Sequence, residues 1–224
     1  MALARYLAGV LHCRRSDRVR FAVLIDGGFA RRLAGVKSQK DGYYSLAFIR
    51  NIYEQCSSAG YCSPDGLLRV LYYDAPPFKG MVSLPVSKQQ KLLHQPDSFL
   101  DELAALDHVA VRRGHLRFQA WAPKKEQPRK DEDYYPVIIQ KGVDTRIALD
   151  IANFCASKAV DRIILFSGDT DLIPALKYAR IAGLQTALLQ LPPPARKLTR
   201  KLVAHSDLVL DIQWPPESPE SNSP

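Results

Sequence analysis

Cysteine is scarce in this chain: four residues in 224, Cys13, Cys56, Cys62 and Cys155, none of them in a C-x-x-C pair. That argues against a structural zinc site, whose ligands come at such spacings. Cys56 and Cys62 are close enough in sequence to bridge, but unpatterned cysteines read more simply as the reduced thiols of a cytosolic protein. Long apolar runs are missing too, and no stretch approaches the roughly 18 residues that a membrane helix needs. The opening MALARYLAGVLH looks superficially like a short secretory leader. Arg5 interrupts it, however, HCRRSDR follows, and no small-x-small cleavage site is present. Residues 1–18 are therefore predicted to be an extension on a soluble, cytoplasmic protein with no membrane partner. The five histidines show no pairing that marks a general base. Acid is the minority charge, 23 Asp+Glu against 31 Lys+Arg, for a net +8 and a pI near 9.3. Such a balance leans toward a polyanionic partner.

What is present is a regular alternation of strand and helix signals. RFAVLID (20–26), LLRVLYYD (67–74), DRIILFSGD (161–169), LQTALLQ (184–190) and LVLDI (208–212) are short apolar runs that read as buried strands. Helical spacing is predicted over 43–60, 142–157, 171–183 and, as a basic helix, 195–207. Ser87–Leu106 reads as one or two helices broken near Pro96. HVAVRRGHLRFQAW (108–121) alternates like a hairpin or two short strands around Gly114, and PKKEQPRKDEDYYP (123–136) reads as a mobile surface loop. The Pro/Ser/Glu-rich end, 213–224, is predicted to be a disordered tail, leaving 19–212 as one domain. Strands separated by helices imply an α/β fold with a mostly parallel central sheet of about five to six strands, flanked by helices.

In such sheets ligands bind beyond the carboxyl ends of the strands, and three of these strands end in an acid: Asp26, Asp74 and Asp169. Asp171 opens the helix that follows Asp169. On the helix from 142, Asp144 falls near the centre of the apolar stripe made by Ile147, Ala148, Ile151, Phe154 and Cys155, at roughly 100° per residue. Asp150 lies on its flank. Each acid alone has an ordinary use: Asp169, Asp171 or Asp144 as a helix cap, Asp74 as a turn residue. Asp26, Asp144, Asp169 and Asp171 together on one side of one sheet, with no Lys or Arg within a few residues of Asp26 or of the Asp169–Asp171 pair on the strand side, are harder to explain without a cation, because clustered carboxylates raise one another's pKa. Mg²⁺ takes such oxygen ligands, often one or two directly and the rest through water.

VLIDGGF (23–29), KGVDTRIALDI (141–151) and ILFSGDTDLIPALKYARIAGLQTALL (164–189), in that order, resemble the NYN domain family, the LabA-like proteins of the PIN-like nuclease superfamily. The resemblance implies a PIN-like three-layer fold and a Mg²⁺- or Mn²⁺-dependent endoribonuclease that leaves 5′-phosphate and 3′-hydroxyl ends. By position it implies Asp26, Asp144, Asp169 and Asp171 as catalytic metal ligands, with Asp74, Asp150 and Ser167 as outer contacts. Some relatives carry a polar residue, often Asn, soon after the first acid, where this chain has Gly28-Phe29.

The expected partner is RNA, single-stranded or structured, ahead of DNA, and a homo-oligomer is left open. Candidate phosphate contacts are Arg112, Arg113, Lys124, Lys125, Arg129, Lys130 and Lys141, within a segment of eight bases against four acids. Arg196, Lys197, Arg200 and Lys201 join them on one face of the predicted late helix. Phosphate neutralisation gives affinity without base specificity. A haloacid-dehalogenase-like phosphatase would want a second Asp where Gly28 stands, and a Toprim-like site a Glu where Asp26 stands. The remaining alternative is a catalytically weak or inactive RNA-binding or scaffold protein of the same fold.

Overall fold

All six residues of β1 (Phe21–Asp26) are buried, which requires that both faces of the strand be covered. In the computed structural model, which describes residues 19–37, 51, 52, 54, 55, 66–94 and 98–214, that is the arrangement found. β1 pairs in parallel with β2 (Leu67–Asp74) on one side and β8 (Arg162–Phe166) on the other. β5 (Val109–Arg113) extends the sheet beyond β2, while β9 (Gln185–Gln190) and β10 (Leu208–Asp211) extend it beyond β8. The six-stranded sheet has the order β10-β9-β8-β1-β2-β5 and is parallel throughout.

Alternation along β1 sorts its side chains between two cores. Phe21, Val23 and Ile25 pack with Ala30 and Leu33 of α1 (Gly27–Lys37) and with Leu100 and Leu103 of α2 (Phe99–Ala104). Ala22 and Leu24 face the other layer, with Ile147 and Ile151 of α3 (Val143–Ser157) and Leu176 and Ala179 of α4 (Ile173–Ile181). Each fully buried Leu, Ile or Phe contributes about 1.5–3 kcal/mol relative to exposure, so a charge at Leu24 would break the sandwich at its centre. The result is a three-layer α/β fold of PIN-like architecture. No helix among the described residues is long and apolar enough to cross a membrane.

Several predicted elements take another form. Ser87–Leu106 is not helical in its first half: β4 (Gln90–Leu93) pairs antiparallel with β3 (Gly80–Ser83), and only α2 follows. Adjacent Leu92 and Leu93 carry no decisive period, and the neighbouring strand settles the conformation. Pro96 lies outside the described residues. The two strands around Gly114 exist but do not form a hairpin with each other. β5 joins the main sheet, and β6 (His115–Pro123) pairs with β7 (Tyr134–Lys141). The predicted mobile loop 123–136 is therefore the tip of a hairpin. Asp133 holds it together: its carboxylate accepts the Arg129 and Lys130 backbone N–H groups at 2.7 and 3.0 Å and pairs with Lys125 at 2.6 Å.

The basic helix 195–207 shrinks to α5 (Arg200–Val203), capped by Thr199, whose hydroxyl accepts the Leu202 N–H at 3.3 Å. Arg196 and Lys197 precede that cap and share no helix face with Arg200 and Lys201. Of the predicted helix 43–60, residues 51, 52, 54 and 55 are helical and Ile52 is buried; the others lie outside the described residues, as do 1–18 with Cys13, and Cys56 and Cys62. The first two residues of the predicted tail are hydrogen-bonded to the domain. Gln55 Nε2 donates to the Gln213 carbonyl at 2.8 Å, and the Trp214 indole N–H donates to the Pro192 carbonyl at 2.9 Å. Residues 215–224 lie outside the described set.

Candidate active site

The carboxyl ends of β1, β2 and β8 lie side by side, and each delivers a polar side chain to the same rim. Asp26, last in β1, is almost fully buried. Its Oδ1 accepts the Phe29 N–H at 3.1 Å and its Oδ2 the Ser167 hydroxyl at 2.9 Å. Ser167, itself buried just past β8, also accepts the Asp169 N–H at 3.2 Å, so one hydroxyl ties the first acid to the loop that carries the next. Asp169 uses Oδ1 to accept the Asp171 N–H at 2.8 Å, capping the short 3₁₀ turn Thr170–Leu172 that leads into α4. The helix-cap use of Asp169 is thus real, and it occupies one oxygen. Asp171 is exposed beside it.

Asp144 reaches the rim from the first turn of α3. Gly142, at φ +80°, makes the left-handed turn between β7 and that helix, a conformation that suits glycine. Partial desolvation, and then the charges of Asp169, Asp26 and Asp171, push the Asp144 carboxyl above the ordinary carboxylate range, with Arg32 pulling weakly the other way. Asp144 therefore feels all three other predicted acids, and among the described residues no salt bridge neutralises any of the four.

Asp74 and Asp150 differ. Asp74, fully buried at the end of β2, is ion-paired to Arg31 and accepts the Ala75 N–H at 2.7 Å and, at 3.4 Å, the Tyr72 hydroxyl. Burial still outweighs Arg31 and holds the Asp74 carboxyl above its usual value. Asp150 accepts the Arg112 Nε–H and the Tyr73 hydroxyl, both at 2.9 Å. Burial and then the Asp150 charge push the Tyr73 phenol well up.

The predicted phosphate contacts divide in the same way. Arg112 is paired with Asp150, Arg113 with Asp101 and Lys125 with Asp133. Lys141 is exposed at the base of the β6–β7 hairpin, two residues before Val143 opens α3. Lys124, Arg129 and Lys130 sit at its tip, about 20–25 Å along the strand from that base at some 3.4 Å per residue. Arg196, Lys197, Arg200 and Lys201 are exposed before and on α5.

Two residues enter the rim that no sequence pattern marked. A Cβ built on Gly28 would stand 3.4 Å from Asp26 Oδ1, 3.2 Å from Gln140 Oε1 and 3.8 Å from Arg32 Nη1. The absent side chain leaves a gap on which a carboxylate, an amide and a guanidinium converge. Gly28 and Arg32 are i and i+4 on α1, which places them on one face, a spacing that is visible in the sequence. Gln140 comes from a hairpin not foreseen there. Its Nε2 is buried without a hydrogen-bond partner, an uncommon and costly condition for an amide.

Whether a divalent cation fits can be judged from these donors. All four unpaired acids offer hard carboxylate oxygens, and their charges bear on one another at Asp144. As placed, no three His, Cys, Asp or Glu side chains among the described residues close on one point. By its chemistry the donor set fits a cation held directly by one or two carboxylates with the others reached through water, a usual coordination for Mg²⁺.

The NYN domain family model matches residues 82–212. More than half of the chain is covered, and the chain belongs to the NYN domain family, a nuclease-like family; nucleases of this PIN-like kind generally use divalent metals. The match includes Asp144, Asp169 and Asp171 but begins after Asp26, which joins them through the sheet. Among solved structures, a protein of unknown function from Vibrio parahaemolyticus has the same fold. The TM-score is 0.50 at 13% identity, over 88% of this chain and 96% of that one. No curated protein sequence matches.

Proposed function

We propose that the chain is a divalent-cation-dependent ribonuclease whose catalytic centre is the rim formed by Asp26, Asp144, Asp169 and Asp171, within a domain spanning 19–212. The single observation that carries this reading is the gathering of four acids that no salt bridge among the described residues neutralises, three of whose charges add to burial in raising the Asp144 carboxyl, in a chain whose family is nuclease-like. Mg²⁺ or Mn²⁺, when bound, supplies an activated water and stabilises charge on the phosphoryl oxygens. The chain's own part is positional. Ser167 and the Phe29 N–H orient Asp26, the Asp171 N–H orients Asp169, and Gly142 sets Asp144 at the mouth of α3. Arg32 offers N–H donors beside the Gly28 gap, where a non-bridging phosphate oxygen would otherwise meet only the Asp26 carboxylate and the Gln140 amide oxygen. Lys141 and the exposed cations before and on α5 supply phosphate affinity. The cytoplasmic setting expected from the sequence belongs to this reading.

A specific observation favours the second reading, an RNA-binding protein of weak or no turnover: no three acids close on one point as placed. One experiment separates the two. The purified chain and its Asp26→Asn variant are incubated with end-labelled single-stranded RNA and matched DNA, in Mg²⁺, Mn²⁺ or EDTA. Cleavage that needs the cation and vanishes in the variant while binding persists supports the nuclease. Binding without cleavage under any cation, or cleavage that survives EDTA, sinks it.

A further inference from the structure

Beyond the rim, a cleft of about 560 Å³ opens between the end of β2 and the β3–β4 and β6–β7 hairpins. That volume lies within the roughly 300–1,000 Å³ typical of small-molecule sites. Its wall is apolar and partly aromatic: Phe78, Leu116 and Ile138 line it, with Leu92, which is 54% exposed. Its mouth carries Lys91 and His94, both exposed, and no salt bridge among the described residues engages either.

The aromatic wall is a built feature. A Cβ on Gly80 would stand 2.7 Å from the Phe78 ring, so glycine is what lets that ring lie against β3. Behind it Phe118 packs at 6.5 Å and Trp121 packs edge-on against Phe118 at 5.6 Å. The Trp121 N–H donates to the Ser83 carbonyl at 2.7 Å, tying the two hairpins together. The cleft lies at the same end of β2 as the acid rim: Arg31, which lines it, is ion-paired to Asp74, whose Oδ2 would lie 2.7 Å from a Cβ on Gly27, the neighbour of Asp26.

We propose that this cleft is a nucleotide subsite, taking one unstacked base of a single-stranded nucleic acid against Phe78 with its phosphate at Lys91 and His94. The chemistry required of an occupant is a flat apolar body joined to an anion. A nucleotide offers both, and for a strand held at the acid rim the cleft is a neighbouring place for one base. Entry demands a base free of pairing, so unpaired segments are preferred over duplex. This inference rests on the nucleic-acid reading above and adds to it a strandedness and a place for one base.

The test uses the full chain in EDTA, so that no turnover is needed, and single-stranded RNA oligonucleotides with 2-aminopurine placed at successive positions. A fluorescence change confined to one or two positions is expected, absent with a blunt duplex. Phe78→Ala should weaken binding roughly 5- to 150-fold, the range for alanine at a stacking residue. A Lys91→Ala, His94→Ala double variant, altered only at exposed side chains, should weaken it as well and serves if Phe78→Ala fails to fold. A response equal at every position, or a double variant that binds as tightly as the parent, overturns the proposal. If the parent cleaves RNA in Mg²⁺ while the cleft variants bind unchanged, the subsite falls and the nuclease stands. If nothing is cleaved under any cation yet the localised response holds, the reverse is true.

Discussion

Two stretches of the same sheet edge treat their carboxylates in opposite ways. At the end of β2 and on the flank of α3, Asp74 and Asp150 are each met by a guanidinium, from Arg31 and Arg112, and by a tyrosine hydroxyl. On the neighbouring rim Asp26 and Asp169 accept from Ser167 and from backbone N–H groups, and no ion pair among the described residues engages them, Asp144 or Asp171. An acid bonded on all sides by its own protein has nothing left to offer a ligand. An acid held in position but left with its charge uncancelled does. On the proposed function the first pair serves structure and the second group chemistry, and that division is open to attack at several points.

The largest expected effect separates activity from stability across it. Asp26→Asn should lower the rate of RNA cleavage by more than the roughly 10–100-fold typical of losing an outer metal contact, while chemical denaturation shifts little, since an asparagine oxygen still accepts from Ser167 or Phe29. Asp74→Ala should reverse the pattern. It leaves the buried Ala75 N–H and Tyr72 hydroxyl without their acceptor and should cost about 1–3 kcal/mol in urea unfolding. A variant of Asp74 that loses cleavage with its stability intact would move Asp74 into the catalytic group.

A smaller effect comes from the pH dependence of Asp144. Its folded-state carboxyl sits above the ordinary value, so the folded chain holds that proton more tightly than the unfolded one. Without divalent cation, stability should therefore fall as pH rises from the ordinary carboxylate value through the raised one, then level off. Asp74 is raised as well and adds a slope of the same sign, so the informative quantity is the difference from Asp144→Asn. That variant should be more stable than the parent above this window, by up to about 1 kcal/mol for a group near the surface, and should gain less melting temperature from Mg²⁺ or Mn²⁺. Equal metal responses would separate Asp144 from the rim.

How far the sequence could see follows the same lines. Strands buried on both faces, such as FAVLID and LLRVLYYD, announce themselves by continuous apolar residues, and their terminal acids then follow from the rule that parallel sheets bind at carboxyl ends. The partners of Asp74 and Asp150 were not legible, because Arg31 and Arg112 approach from other elements and no local spacing reveals them. Nor were the hairpins, where pairing between distant segments overrode weak local signals: Gln90–Leu93 gives no period of its own, and the charge-rich 124–133 becomes ordered through Asp131 and Asp133. Gln140 was missed for that reason.

Arg112 offers the finest test of the division. The sequence alone makes it a phosphate contact, one of a run of basic residues, but its Nε–H lies 2.9 Å from Asp150, and that bond, ahead of the charge itself, holds the guanidinium more basic than usual. Removing a true phosphate contact should weaken binding to all sequences alike and lower the salt dependence of affinity by about one counterion. Lys141→Ala, at the hairpin base, is expected to do so. Arg112→Met should leave the salt slope unchanged and appear instead as a loss of about 1 kcal/mol in stability, since Asp150 keeps the Tyr73 hydroxyl and some access to water. A slope that drops in Arg112→Met as it does in Lys141→Ala would mean the Arg112–Asp150 pair opens to admit nucleic acid, and the boundary between the structural and chemical acids would then lie inside α3.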